Sequence, residues 1–156
     1  EGNEYILHLL GPGDSFNDIA ALDGGPTPGN AIAMSLVSAW LLPADAMAHA
    51  LESYPAMARA ALQMMGERIR ALGHQIEDLT LYPVIVRLAR FLLAQAENPS
   101  LSGPGVTRAA IAAHLATTPE TISRALGKLQ DAGAIRFDRH RIIITNGDLL
   151  RSMAVL

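Results

Sequence analysis

The sequence predicts an α+β fold laid out in three successive parts: a β-rich start, one long helix, and a compact C-terminal unit of short helices closed by a hairpin. Three observations carry that expectation. Short apolar runs broken by dense Gly/Pro turns fill residues 5–42, which is the punctuation of strands. From Ala58 to Leu79, apolar residues recur at alternating intervals of four and three, the spacing of a helix that pairs along its length. After position 106 the order becomes helix, tight corner, helix, Gly stop and two short runs of β-formers.

Composition bounds what the chain can be. Its 156 residues, 50% apolar and 17% charged, can bury a core without staples. No Cys is present, which excludes disulfides, thiolate metal sites and Cys nucleophiles within this chain. The longest nearly apolar stretch, residues 31–42, contains two serines and falls short of the roughly 20 residues that a bilayer span requires. The chain opens at Glu1 with no basic-then-apolar leader, so the expected compartment is the cytoplasm. The net charge of −3 is unevenly divided, +3 after position 106 and −6 before it. A basic segment following an acidic one argues for a nucleic-acid partner of the basic part.

In chain order, residues 5–10 form the first candidate strand, ended by Gly11-Pro12-Gly13-Asp14, and a breaker-rich loop covers 23–30. Beyond it Ile32, Met34, Leu36, Trp40 and Leu42 share one parity, the period of a half-buried strand. These strands are too few to close a sheet, so the expectation is a chain that begins inside a domain whose earlier strands lie upstream. Pro43 ends the β region, Asp45 is the expected cap of a short helix through His49 to Ser53, and Pro55 suits the first turn of the next.

That next helix carries a seam of Ala58, Leu62, Met65, Ile69, Leu72, Ile76 and Leu79, with Arg59, Glu67, Arg68, Arg70, Glu77 and Asp78 on other faces. A narrow a/d seam fits a helix paired with another, and no second helix in the chain matches its length and spacing, so a parallel homodimer is expected. An intramolecular core helix is the bland alternative. Gly66 and Gly73 cost the helix about 1 kcal/mol each relative to Ala, which seam packing must offset. Met64 beside the seam reads as core.

Pro83 then starts a helix with Ile85, Leu88, Ala89, Leu92 and Ala96 on one face, closed by a loop over 98–105. Thr107 caps a helix over 108–115, Ala116-Thr117-Thr118 makes a tight corner, and Pro119 opens a helix to about Ala132, stopped by Gly133. Ile135-Arg136-Phe137, the turn Asp138-Arg139-His140, and residues 141–145 make a hairpin. This is the order of a winged helix-turn-helix.

Ile111, Leu115, Ile122 and Leu126 supply its apolar positions, and small Ala112 and Ala116 let the two helices cross closely. Glu120, Ser123 and Arg124 stand at i, i+3 and i+4, on the first turns that reach base edges when such a helix lies in the major groove. Arg can grip guanine bidentately, Glu can accept from a cytosine amino group, and Ser can serve either role. Pro119 sets the helix start, while Thr107, Thr121, Lys128, Arg139 and Arg141 are candidates for phosphate contacts. The competing reading is a solvated i,i+4 pair of Glu120 and Arg124 worth a few tenths of a kcal/mol. No catalytic set and no metal pattern can be placed, and the Gly-rich loop at 24–29 lacks the Lys of a phosphate cradle.

On these residues the chain resembles the Crp/Fnr transcription regulators over essentially its whole length. Gly11-Pro12-Gly13-Asp14-Ser15-Phe16 is similar to the family's PGD-x-F turn, and Arg87-Leu88-Ala89-Arg90-Phe91-Leu92-Leu93 to its R-x-A-x-x-L helix. Thr107-Arg108 with Thr118-Pro119-Glu120-Thr121-Ile122-Ser123-Arg124 resembles its DNA-binding signature. The resemblance implies a cyclic-nucleotide-binding-like β-roll over 1–54 that senses an effector, a dimerisation helix over 55–81, and a winged helix-turn-helix over 82–156. It implies double-stranded DNA, a second copy and RNA polymerase as partners. The Glu120, Ser123, Arg124 set is closer to the Fnr-like branch, which implies a palindrome of TTGAT-like half-sites.

The effector is less defined. The family's cyclic-nucleotide pocket has a Gly-Glu pair and an Arg-Ser or Arg-Thr pair where this chain has Asn17-Asp18 and Gly29-Asn30, and no Arg occurs in residues 1–58. Cyclic AMP is therefore disfavoured unless another chain segment contributes. An iron-sulfur cluster is disfavoured by the missing cysteines, with Trp40 near the Fnr position of a cluster Cys. Haem held by His8, His49 or His74 stays open, though none has a supporting spacing. Two other classes compete with DNA binding: a ligand-binding or protein-interaction module whose C-terminal helices are only structural, and an enzyme, for which no residue set speaks.

Overall fold

The computed structural model describes residues 5–98, 105–138 and 141–155. The expected loop residues 99–104 and the turn residues Arg139 and His140 lie outside them. In chain order the elements are α1 (Asp18–Asp23), α2 (Ala44–Ser53), α3 (Pro55–Leu81), α4 (Val84–Glu97), α5 (Arg108–His114), α6 (Pro119–Asp131), β1 (Ile135–Phe137), β2 (Ile142–Ile144) and α7 (Gly147–Met153). They divide between two compact units, one of Glu1–Pro12 with Ile76–Leu156 and one of Gly13–Gln75.

The first unit has the apolar core. Leu88 of α4, Ile122, Leu126 and Leu129 of α6, Ile135 of β1 and Leu150 of α7 are fully out of water, joined by Ile111 of α5. Removing each such side chain from water is worth about 1.5–3 kcal/mol. The chain sets α6 with local signals at both ends. The Thr118 side chain accepts from the Thr121 amide at 3.3 Å with Pro119 as the first helical residue. At the other end Gly133 takes φ +82, and the Gly133 and Ala134 amides donate to the carbonyls of Gln130 and Leu129, a Schellman closure that glycine adopts freely. The hairpin is antiparallel, with Ile135 opposite Ile144 and Phe137 opposite Ile142.

Two helices have no counterpart in the sequence expectations: α1, which falls inside the region read as β, and α7. Asn146 caps α7 by accepting from the Leu149 amide at 3.0 Å, and Leu150 enters the core. Seven residues are too few to show a helical period, so only the Asn cap announced it.

The α+β class stands, but its β part is smaller than expected. Among the described residues the only ladder is β1 with β2. The strands expected over 5–10 and 32–42 join no ladder. The first run instead packs on its own unit, Leu9 against the core and the Ile6 amide on the Ala113 carbonyl. In the second, Leu36 and Trp40 are 102% and 101% exposed. Alternation makes a run competent for pairing, but without a neighbour its backbone groups are satisfied by water. Asp45, expected as the cap of α2, sits inside its first turn, and Pro43 holds the cap position. An acid there is still favourable, because it faces the positive end of the helix dipole. Helix α3 runs 27 residues without a break through Gly66 and Gly73, about 40 Å at 1.5 Å per residue.

Candidate nucleic-acid interface

The corner between α5 and α6 is built from hydroxyl caps and one positive φ. Thr107 accepts from the Ala110 amide at 3.2 Å to start α5, and Ala116 takes φ +47 to turn the chain. The buried Arg87 of α4 donates to the Leu115 carbonyl at 2.8 Å, placing a cation on the negative end of α5. The sequence reading quoted Arg87 only as part of a motif; its charge alone would have put it in solvent.

With Ile122, Ala125, Leu126 and Leu129 facing the core, α6 turns Glu120, Arg124 and Lys128 outward and leaves Ser123 half-buried. Arg124 donates to the Thr121 hydroxyl at 3.2 Å, and that hydroxyl lies 3.1 Å from the Thr118 hydroxyl. The Glu120 carboxyl is held below the usual carboxylate range by its own backbone amide first, then by the Thr118 hydroxyl and the Arg124 charge. It is therefore ionised at neutral pH and can only accept hydrogen bonds.

The wing is tied to this helix pair. The Phe137 amide donates to the Gln130 side-chain carbonyl at 3.1 Å, and Arg108 donates to the Asp138 carbonyl at 2.9 Å while lying 5.3 Å from the Phe137 ring centre. The Arg141 amide donates to the Asp138 carboxylate at 2.8 Å, and its side chain is exposed. Arg139 lies outside the described residues. The sequence marks Arg108 only as part of the DNA-binding signature and gives Gln130 no role, because their partners come into reach only when the hairpin folds back.

On α3, the seam residues Leu62 and Ile69 are 74% and 70% exposed, Leu72, Ile76 and Leu79 are also exposed, and Ala58 and Met65 are half-buried. A row of leucine and isoleucine in water along one long helix is an unpartnered apolar stripe.

Within the Gly13–Gln75 unit, Asn17 takes φ +58, a conformation that Gly and Asn tolerate. Next to it Asp18 is 7% exposed, accepts from the Ser15 hydroxyl at 2.7 Å and is paired with Arg68 of α3. Arg68 also donates to the Ser15 carbonyl at 2.9 Å. Burial pushes the Asp18 carboxyl up, but the Ser15 and Arg68 contacts outweigh it and hold the group below its ordinary value. Arg68 of α3 thus neutralises the buried Asp18. His8 lies in the coil before α1, His49 on α2 within 3.5 Å of the Ser53 hydroxyl, and His74 on α3. Among the described residues no group of three or more His, Cys, Asp or Glu could hold a metal, and no helix is long and apolar enough to cross a membrane.

Two family models match: a Crp-like helix-turn-helix domain over residues 86–153 and a cyclic nucleotide-binding domain over residues 1–54. The chain belongs to the Crp/Fnr family of transcription regulators. This Crp/Fnr chain is 26% identical over 161 residues to a CRP-like cAMP-activated global transcriptional regulator of Mycobacterium tuberculosis, covering 99% of the chain and 72% of the relative. It is 29% identical over 154 residues to the global nitrogen regulator of Synechococcus elongatus, covering 93% of the chain and 69% of the relative. The fold resembles that of FixK2 from Bradyrhizobium japonicum with a TM-score of 0.63 at 24% identity, over 70% of this chain and 58% of that one. With a cAMP-activated protein among the relatives, the expectation that disfavours cyclic AMP gains no support.

Proposed function

We propose that this Crp/Fnr regulator binds a palindromic, TTGAT-like DNA site as a homodimer and responds to a small effector in the region of residues 1–54. The single observation that carries the reading is the start of α6, where exposed Glu120 and Arg124 flank half-buried Ser123 on the first turns of a helix whose opposite face is locked in the core. In this reading Arg124 grips a guanine, ionised Glu120 accepts from a cytosine amino group and Ser123 adds a further base contact. Pro119 sets the helix start, and Thr107, Thr121, Lys128, Arg139 and Arg141 lie along the flanking phosphates. The seam from Ala58 through Leu62, Met65, Ile69, Leu72 and Ile76 to Leu79 pairs two copies over 55–81, which places two recognition helices about 34 Å apart on one face of the duplex. The DNA-binding unit then spans 82–156 and the sensor 1–54.

The effector acts on the sensor. A cyclic phosphate would draw its cation from outside residues 1–58, which hold no Arg, and Arg68 could serve only by turning from Asp18 and Ser15. Iron-sulfur ligation would have no Cys in this chain to rest on. The compartment is the cytoplasm, and RNA polymerase is the partner through which binding acts on transcription.

The test is a titration against a duplex carrying TTGAT-N4-ATCAA and against a scrambled duplex, at two salt concentrations. A preference for the palindrome that survives added salt is the expected result. Equal, salt-sensitive binding to both duplexes, with and without candidate effectors, would sink specific readout by α6.

A further inference from the structure

We propose that Arg90 is a positioning residue: it locks the last turn of α3 to the winged helix-turn-helix and so sets the half-site spacing that the dimer accepts. The inference rests on the dimeric, palindrome-binding reading above. Helix α3 ends at Leu81 and α4 begins at Val84, so only Tyr82 and Pro83 join them. Pro83 has φ −66, held there by its ring. No residue of α3 belongs to the apolar core, and none of its side chains is buried. Among the described residues, the last turn of α3 is therefore joined to the helices after it by polar contact.

One guanidinium does reach all the parts concerned. From α4, Arg90 pairs with the Asp78 carboxylate on the last turns of α3, lies 3.9 Å from the ring centre of Tyr82 in the linker, and donates through Nε to the Ala154 carbonyl at 2.8 Å, where α7 ends. Each contact alone is modest at partly exposed side chains. Together they use the planar, directional fork of Arg to hold three segments in one orientation, which a lysine or an apolar residue cannot reproduce. In a dimer, a change of angle at this joint is carried to the recognition helix on each side, so it alters the distance between two half-sites without altering how one helix reads one half-site.

The test uses the full chain as wild type, Arg90→Met and Asp78→Asn, titrated against TTGAT palindromes with spacers of increasing length and against a duplex with a single half-site. The expected wild-type profile peaks at one spacer. Both variants flatten it, losing about tenfold or more at the preferred spacer because simultaneous engagement of two sites is lost, while single half-site affinity and the sedimenting dimer stay unchanged. Asp78→Asn keeps the Tyr82 and Ala154 contacts and carries the test if Arg90→Met fails to fold. A wild-type spacing profile in the variants, or an equal loss on the single half-site, overturns the positioning role. A wild type that shows no spacer preference overturns the palindrome reading and this inference together, a result distinguishable because it appears before any variant is made.

Discussion

Leu88, Ile122, Leu126, Leu129 and Leu150 are fully buried in the unit that carries α4 to α7, whereas Ile32, Leu36, Trp40 and Leu41 of the Gly13–Gln75 unit stand in water. In that second unit the one buried side chain among the described residues is a carboxylate, Asp18. The difference lies in how each unit satisfies its chain. Helices α4 to α7 close their own hydrogen bonds and need only a face to pack, so a short segment can complete a core. Alternating β runs need a neighbouring strand for both their backbone and their apolar face, and the helical part of the second unit offers neither.

The sharpest way to break this contrast is to truncate one leucine in each unit. Leu126→Ala should lower the stability of the DNA-binding unit by about 2–5 kcal/mol in urea denaturation, while Leu36→Ala should shift it by no more than about 0.5 kcal/mol. A comparable loss at Leu36 would mean that the exposed run is packed in solution. Next in size, Leu72→Glu places a charge in the seam twice per dimer and should weaken the dimer by about 2 kcal/mol or more. Sedimentation as an unchanged dimer would refute pairing through α3.

Arg124→Ala should cost about 1–3 kcal/mol of sequence-specific DNA binding with the melting temperature unmoved, since the side chain is exposed. Equal losses on specific and scrambled duplexes would reduce Arg124 to a phosphate contact.

The smallest effect concerns pH and the second unit alone. The folded state favours ionised Asp18, so the unfolded state binds more protons as acid is added. The stabilisation is complete above the ordinary aspartate value and is lost as pH falls through the lower folded value. Asp18→Asn should remove about 1 kcal/mol near neutrality and flatten the acid limb of the urea midpoint against pH. An unchanged acid limb would show that the Ser15 and Arg68 contacts do not hold in solution.

Most of the C-terminal unit was legible because its signals are local. Thr107, Thr118-Pro119 and Gly133 mark helix ends within one turn of the groups they satisfy, and Ile122, Leu126 and Leu129 repeat at helical spacing. The candidate base-reading residues were legible for the same reason, as a face of α6 opposite that stripe. Arg87, Arg90, Arg108 and Gln130 were not, because a charged or polar side chain is assigned to solvent until the partner that takes it up is known. The partners of Arg87, Arg108 and Gln130 are seven to thirty residues away, and the Ala154 carbonyl that receives Arg90 is 64 away.

By itself, then, the sequence determined helices α2 to α6, the caps of α5 and α6, the hairpin, the heptad spacing on α3 and the outward face of α6, since each depends on neighbours within a few residues. Only the tertiary structure decided that among the described residues the two early apolar runs join no ladder, that α7 completes the core, and that arginines reading as surface charge hold the corner, the wing and the α3 joint. Those outcomes turn on whether distant groups find each other at hydrogen-bonding distance, and spacing along the chain carries no record of that.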